Sequence, residues 1–365
     1  MADMIAVCLN RCNDRNHVPC RLANQKEVCY SNAVLQCFAR LIDPSCLGVK
    51  LGATHLQNHG ILCTRLDTTS TPEVDKCIQE TDVTHVNPAA DFVRIVELMH
   101  KERANVNGEQ FASGEGAYPY CWFRFTLNSL CEGASFSGQS GVASHPVIDE
   151  MFKVHSAFTH VCNACLHREL QADVSDRGLR LDPNGTPHSP PNQPPVTVQE
   201  LLDAHRKYTE TKRERCTKCR KHTEKDCIWK GLTTAPEILP IEVKTCEREL
   251  SAENQTRYTF LFSDIVLNRR IYVPNVNGKY ATRYELQAVV KLEGNAHQHA
   301  VAFVRSGQHG WWKCSDEDIT SSTWEAAQRT HDEEQVSLIF YQKKSSNNVA
   351  VKLDVLTQGP SDVQL

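Results

Sequence analysis

No stretch of this 365-residue sequence approaches the about 18 consecutive apolar residues of a membrane-crossing helix, so none is expected. The opening residues, Met1 to Cys8, lack both the basic region and the long apolar stretch of an export signal. A soluble protein of the cytoplasm or nucleus is therefore expected. Asn184-Gly185-Thr186 and Asn254-Gln255-Thr256 match the glycosylation pattern but carry no meaning without export. One sign of charge does not dominate either. Lys and Arg number 40 against 44 Asp and Glu, for a net charge of −4, which argues against a general binder of nucleic acid or of anionic membranes. No internal repeat is evident. At 40% hydrophobic and 23% charged residues the composition is that of a globular chain. Cysteine, in contrast, is abundant. In a reducing compartment the 17 cysteines are expected to be free, metal-bound or catalytic rather than paired in disulfides.

One of them, Cys29, precedes an apolar periodic run in which Val34, Phe38 and Leu41 recur at helical spacing. The pattern places Cys29 at the mouth of a helix reaching to about Ile42. A helix N-terminus presents free N–H groups and partial positive charge, which favour a thiolate and lower a cysteine's pKa. The competing reading is a buried structural cysteine, the commoner fate of free Cys.

A second helix is expected over residues 88–99, with Phe92, Ile95, Val96 and Met99 on one side. Pro119 fits the first turn of a third helix running through Phe125 and Leu130. Thr197-Val198-Gln199-Glu200 reads as a capping box opening a short helix through His205. Between Leu181 and Pro195 lies a Pro-rich connector that suits neither helix nor inner strand. Cys8, Cys12, His17 and Cys20 fit no common zinc spacing.

Cys162-Asn163-Ala164-Cys165 and Cys216-Thr217-Lys218-Cys219 form two CxxC knuckles. Four thiolates at this spacing suit one tetrahedral zinc, and a site filled by four protein ligands holds structure rather than performing catalysis. Past Ile228 the pattern turns from helix to strand, at residues 237–244, 258–262, 284–291 and 336–341. Helices followed by antiparallel strands make an α+β layout.

A reactive thiol needs a base and a group to orient it. His299 opens an apolar run through Arg305, and a turn at residues 306–310 leads to Trp311, Trp312, Lys313 and Cys314, so a hairpin is expected. A turn centred on Gly307 sets His299 opposite Ser315, and a shift of one residue sets it opposite Asp316. His297 would share the face of His299 and is the rival base.

Asn24, Cys29-Tyr30, Asn32, Leu35 and Gln36 resemble the Cys box of the ubiquitin-specific proteases. Residues 284–316 resemble that family's His box, and the segments 236–241 and 336–341 its core strands. The motifs follow the family's order across residues 18–345. Departures are Lys26, Glu27 and Val28 where the family usually has Gly, Asn and Thr, and Ser315 where it normally has Asp or Asn. Gln298 and Ala300 replace the Gly and Tyr that flank the family's histidine. Gly116 and Pro119 alter a segment whose acidic residues, in the family, help hold ubiquitin's basic tail.

The resemblance implies a papain-like cysteine peptidase with a helical thumb (about 18–135), zinc-stapled β fingers (about 150–235) and an antiparallel β palm, between an arm at 1–17 and a tail at 346–365. It implies a deubiquitinase acting through a thioester on Cys29, with His299 as base, Ser315 or alternatively Asp316 orienting it, and Asn24 donating to the oxyanion. Cys162, Cys165, Cys216 and Cys219 would hold one structural zinc. The implied partner is ubiquitin or a ubiquitinated protein, met by a monomer. The alternative is a pseudo-deubiquitinase that serves as a binding scaffold for ubiquitin or a ubiquitin-like modifier.

Overall fold

The computed structural model describes residue 19 and residues 29–41, 118–132, 146–182, 195–206, 209–244, 246–250, 256–260, 264–276, 281–294, 299–307, 310–329 and 334–344. The arm at 1–17, Asn24, the helix expected over 88–99, His297 and the tail at 346–365 lie outside the described residues.

Helix α1 (Cys29–Leu41) begins at the cysteine and ends one residue short of the expected position. Its apolar residues Tyr30, Ala33, Val34, Cys37, Phe38 and Leu41 follow the 3.6-residue period and are buried. Ser31, Asn32 and Gln36 are buried as well, so α1 is enclosed on its polar side too. It packs against α2 (Pro119–Glu132) and α3 (Pro146–Phe152). Pro119 stands at the first helical position, where its missing N–H breaks no intrahelical bond. Aromatic rings bind this layer together. Phe38 lies 5.7 Å from Phe123 and 5.8 Å from Phe152, and Phe123 lies 5.3 Å from Phe340 of the sheet beneath. Such pairs add about 0.5–1.5 kcal/mol each beyond area burial.

The strands in chain order are β1 (Val154–Cys162), β2 (Arg168–Asp176), β3 (Leu179–Leu181), β4 (Val196–Thr197), β5 (Thr209–Arg215), β6 (His222–Thr234), β7 (Ile238–Val243), β8 (Cys246–Leu250), β9 (Thr256–Phe260), β10 (Ile265–Val266), β11 (Arg270–Pro274), β12 (Ala281–Glu293), β13 (His299–Ser306), β14 (Gly310–Ser315), β15 (Asp318–Ser322) and β16 (Glu334–Lys343). Two short helices interrupt them, α4 (Val198–His205) and α5 (Trp324–Gln328). The central sheet runs β15, β14, β13, β12, β16, β7, β3, with β11 also paired to β12. Its pairs are antiparallel except β3 with β7. Successive strand residues face opposite ways, and both faces are covered. Ala300, Ala302 and Val304 join the core under the helices, whereas Val301 and Phe303 join a second core with α4. This two-sided burial is why the strands read as continuous apolar runs.

The capping box forms as expected. The Glu200 amide donates to Thr197 Oγ1 at 3.2 Å, and the Thr197 amide donates to Glu200 Oε2 at 2.8 Å. The strongly charged segment 209–215 forms β5 and pairs along β6 from Thr209↔Ile228 to Arg215↔His222, while its described side chains stay largely exposed. Pairing with a neighbour, not hydropathy, makes it a strand. An isolated bridge from Leu232 of β6 to Asn275, just past β11, ties this second sheet, ordered β2, β1, β6, β5, to the central one. At Gly231, φ is +132° and a Cβ would stand 2.5 Å from the Pro274 carbonyl, so only glycine allows that approach.

Lys291 is wholly buried in β12. Its ammonium donates to the Ala326 carbonyl at 2.9 Å and to the Arg329 carbonyl, pairs with Glu334 at 3.0 Å, and lies 4.6 Å from the Phe303 ring centre. Burial depresses its pKa while Glu334 opposes the shift. The lysine thereby anchors the end of α5, whose last carbonyls have no partner within the helix.

Candidate active site

Cys29 is the first residue of α1, and β13, which begins at His299, packs against that helix. Burial pushes the Cys29 thiol above its ordinary value of 9.0. The Ala300 amide on the sulfur pulls it back, the negative charge of Asp316 adds to the rise, and the amides of Tyr30 and Cys29 pull it back further. This corrects the expectation drawn from the helix mouth. The N-terminal amides do act on the sulfur, but with only 9% of Cys29 exposed, the loss of solvation outweighs them.

His299 Nε2 lies 2.8 Å from Ser315 Oγ and 3.6 Å from Asp316 Oδ2. The other oxygen of Asp316 accepts a hydrogen bond of 2.7 Å from Nδ2 of Asn32, one helical turn past Cys29. One carboxylate therefore bridges the nucleophile helix and the histidine. The sequence reading quoted Asn32 only as part of a motif and missed this contact. The pair is 284 residues apart, and no local signal could have revealed it.

The hairpin forms, but its register differs from both options considered. Ala302 pairs with Cys314 and Ser306 with Gly310, a register that would set His299 opposite neither Ser315 nor Asp316. The pairing stops at Ala302 and Cys314, short of the site. Beyond it, Ser315 pairs with Asp318 of β15 across a two-residue turn. Asp316 opens that turn with φ +53°, a left-handed backbone that Asp tolerates better than most residues. The turn swings Ser315 and Asp316 together to the same imidazole nitrogen. With Nε2 so engaged, the remaining ring nitrogen, Nδ1, is the one left to exchange a proton with another group.

The two CxxC knuckles form matching turns at the tips of the β1–β2 and β5–β6 hairpins. In each, the amide of the first cysteine donates across the turn at 2.9 Å, Cys162 to His167 and Cys216 to Lys221. The residue after each second cysteine is left-handed, Leu166 at φ 55° and Arg220 at φ 60°. Cys162 Sγ lies 3.9 Å from Cys219 Sγ, and Cys165 Sγ lies 3.7 Å from Cys216 Sγ. All four sulfurs fall within 4.8 Å of one another. A tetrahedral ion with metal–sulfur bonds near 2.3 Å requires sulfur separations of about 3.8 Å, so this donor set fits a metal ion.

The chain covers 92% of its length in superposition on the SAGA DUB module of Ubp8, Sgf11, Sus1 and Sgf73 bound to monoubiquitin, with 17% identity, a TM-score of 0.62 and 71% of that chain covered. The same module bound to ubiquitin aldehyde gives 17% identity, a TM-score of 0.61 and the same coverage of each chain. A yeast SAGA DUB module carrying an Sgf73 mutant gives 17% identity and a TM-score of 0.60, covering 92% of this chain and 70% of that one. At such identity the likeness establishes the fold. No curated protein matches the sequence. The sequence pattern described as ubiquitin carboxyl-terminal hydrolase matches residues 20–341, which is most of the chain, and the protein therefore belongs to that family.

Proposed function

We propose that this protein hydrolyses the isopeptide or peptide bond at the carboxyl-terminal glycine of ubiquitin through a thioester on Cys29. The observation that carries this reading is the convergence, within the family's sequence pattern, of three elements on one point. The mouth of α1 supplies Cys29, the start of β13 supplies His299, and the turn after β14 supplies Ser315 and Asp316.

His299 Nδ1 takes the thiol proton, and the sulfur attacks the glycine carbonyl carbon. The tetrahedral intermediate collapses as the imidazolium returns its proton to the departing amine. Water then adds to the thioester with His299 again as base, releasing ubiquitin's carboxylate and restoring the thiol. Because burial holds Cys29 as a thiol, the base is required and the nucleophile is not self-activated. Ser315 accepts the Nε2 hydrogen and fixes the tautomer, while Asp316 supplies the negative charge that a serine lacks. Asn24 remains the oxyanion donor implied by the family resemblance. Cys162, Cys165, Cys216 and Cys219 would hold a structural zinc, which cross-links the tips of two hairpins and takes no part in bond cleavage.

The test is reaction of the purified chain with a ubiquitin bearing a carboxyl-terminal electrophile. A covalent adduct on Cys29 is expected, located by peptide mass analysis. Binding of ubiquitin without any adduct would favour the scaffold reading, whose warrant is the altered segment around Gly116 and Pro119 and the serine at position 315.

The division of work between Ser315 and Asp316 gives a separate expectation. Ser315→Ala should lower kcat about 10- to 100-fold, and Ser315→Asp should retain activity or raise it. Asp316→Asn, which keeps an acceptor for Asn32 but removes the charge, should cost less than Ser315→Ala. A Ser315→Ala enzyme within about two-fold of wild type, beside a crippled Asp316→Ala enzyme, would assign the orienting role to the carboxylate.

A further inference from the structure

Far from the candidate site, one carboxylate gathers four bases. Glu285 on β12 receives Arg270 Nε at 3.2 Å and Arg283 Nη2 at 3.3 Å on one oxygen. Its other oxygen receives Arg305 Nη1 at 3.4 Å and Lys344 Nζ at 3.6 Å. The four come from β11, β12, β13 and the end of β16, so a rigid sheet sets their spacing. Burial alone would raise the Glu285 pKa, but Lys344, Arg305 and Arg270 together hold it below the ordinary carboxylate value.

Arg270, Arg283 and Lys344 alone set three positive charges against this one carboxylate, a surplus of two among these described groups, in a chain whose net charge is −4. The carboxylate has no further capacity, since two oxygens offer about four lone-pair sites. A guanidinium has five N–H donors. Arg270, 55% exposed, engages Glu285 through Nε, one of its five N–H donors. Tyr272, an exposed large hydrophobic residue, lies two residues along β11 from Arg270 and therefore on the same side of the strand. It pairs directly with Arg283, as Arg270 pairs with Glu285. Tyr and Arg are the residue types that dominate binding hot spots, and a side chain already fixed by a sheet loses little entropy on binding.

We propose that this face, formed by Arg270, Tyr272, Arg283 and Lys344 around Glu285, docks an acidic peptide segment of a partner protein. Surplus charge, unused guanidinium donors and one exposed ring suit a short run of carboxylates beside an apolar residue. The patch is compact and carries its own counter-ion, whereas nucleic acid is met by longer basic stripes. Glu285 lies eight residues along β12 from Glu293, the partner of His299, or about 26 Å at strand rise. Occupancy of this face therefore leaves the chemistry at Cys29 free to proceed, and the proposal stands independently of the function proposed above.

The test is fluorescence anisotropy of a labelled deca-glutamate peptide ending in tyrosine, titrated with the full chain at low and physiological salt. Saturable binding that weakens with salt is expected. Charge reversal by Arg270→Glu with Lys344→Glu should weaken it about ten-fold or more, and Tyr272→Ala several-fold. The milder pair Arg270→Gln with Lys344→Gln should weaken it with an unchanged thermal midpoint, which separates lost binding from lost folding. The same reversal on the fingers, Arg213→Glu with Lys230→Glu, should leave affinity within about two-fold. Reaction of Cys29 with the ubiquitin electrophile should be unchanged by either patch pair. The proposal is overturned if wild type fails to bind the peptide, if the patch and finger variants weaken it equally, or if a single-stranded oligonucleotide outcompetes it.

Discussion

Replacing Cys29 by alanine should reduce ubiquitin hydrolysis by on the order of 10⁴-fold or more, because no neighbouring group inherits the role of nucleophile. The variant should fold. Ala33, in the next turn of the same helix, is equally buried, and exchanging one small side chain for another in a packed site is expected to cost about 1 kcal/mol or less. Affinity for ubiquitin, measured by titration calorimetry, should stay within a few-fold of wild type. The direction of the Cys29 pKa adds a second readout. Since burial and Asp316 hold the thiol above 9.0, the free enzyme carries little thiolate at neutral pH. Alkylation of Cys29 by iodoacetamide should therefore keep rising with pH beyond 8, and should not plateau near 7 as it would for a preformed ion pair. Residual turnover in Cys29→Ala would mean a different nucleophile. A plateau near neutrality would mean that the imidazole, not burial, governs the sulfur.

Removing the metal from the four-cysteine site should have the largest effect on stability. Structural zinc binding in small domains is worth about 10–16 kcal/mol, and the ligands are brought together by folding. Here β1 and β6 pair along their length through backbone bonds that do not involve the sulfurs, so part of the sheet is expected to persist and only part of that free energy to be lost. A loss of even about 4 kcal/mol would lower Tm by roughly 5 °C in a chain of this size. Cys216→Ser is the cleanest variant. It removes a ligand that is 2% exposed, and its amide bond to the Lys221 carbonyl survives. The expected results are one zinc per wild-type chain by elemental analysis, loss of that zinc in the variant, and a chelator-induced fall in Tm in wild type alone. A purified chain without metal, indifferent to chelator, would overturn the structural role assigned to these cysteines.

The features legible in the sequence are those governed by residues close along the chain. Pro119 opens α2 because a helix start tolerates a missing N–H. Thr197 and Glu200 close a capping box within four residues, and each CxxC knuckle repeats one hairpin-tip geometry. The apolar period of α1 survived to within one residue of its expected end. The charged strand β5 was not legible, because its residues carry no alternation and only β6 makes them a strand.

By itself, then, the sequence determined which residue types stand at the mouth of the helix, at the start of the histidine strand and at the hairpin tips. It also determined the order in which they come, which is what family membership rests on. The tertiary structure alone decided the state of the Cys29 thiol, since the balance between helix amides and burial depends on what encloses the sulfur. It decided that Asp316 reaches Asn32 as well as His299, and that Ser315 takes the closer place on Nε2. It also gathered four bases around Glu285. The common reason is distance along the chain. Dielectric surroundings, turn register and ion-pair partners are set by strands and helices that meet only after folding, and no local pattern encodes where they will meet.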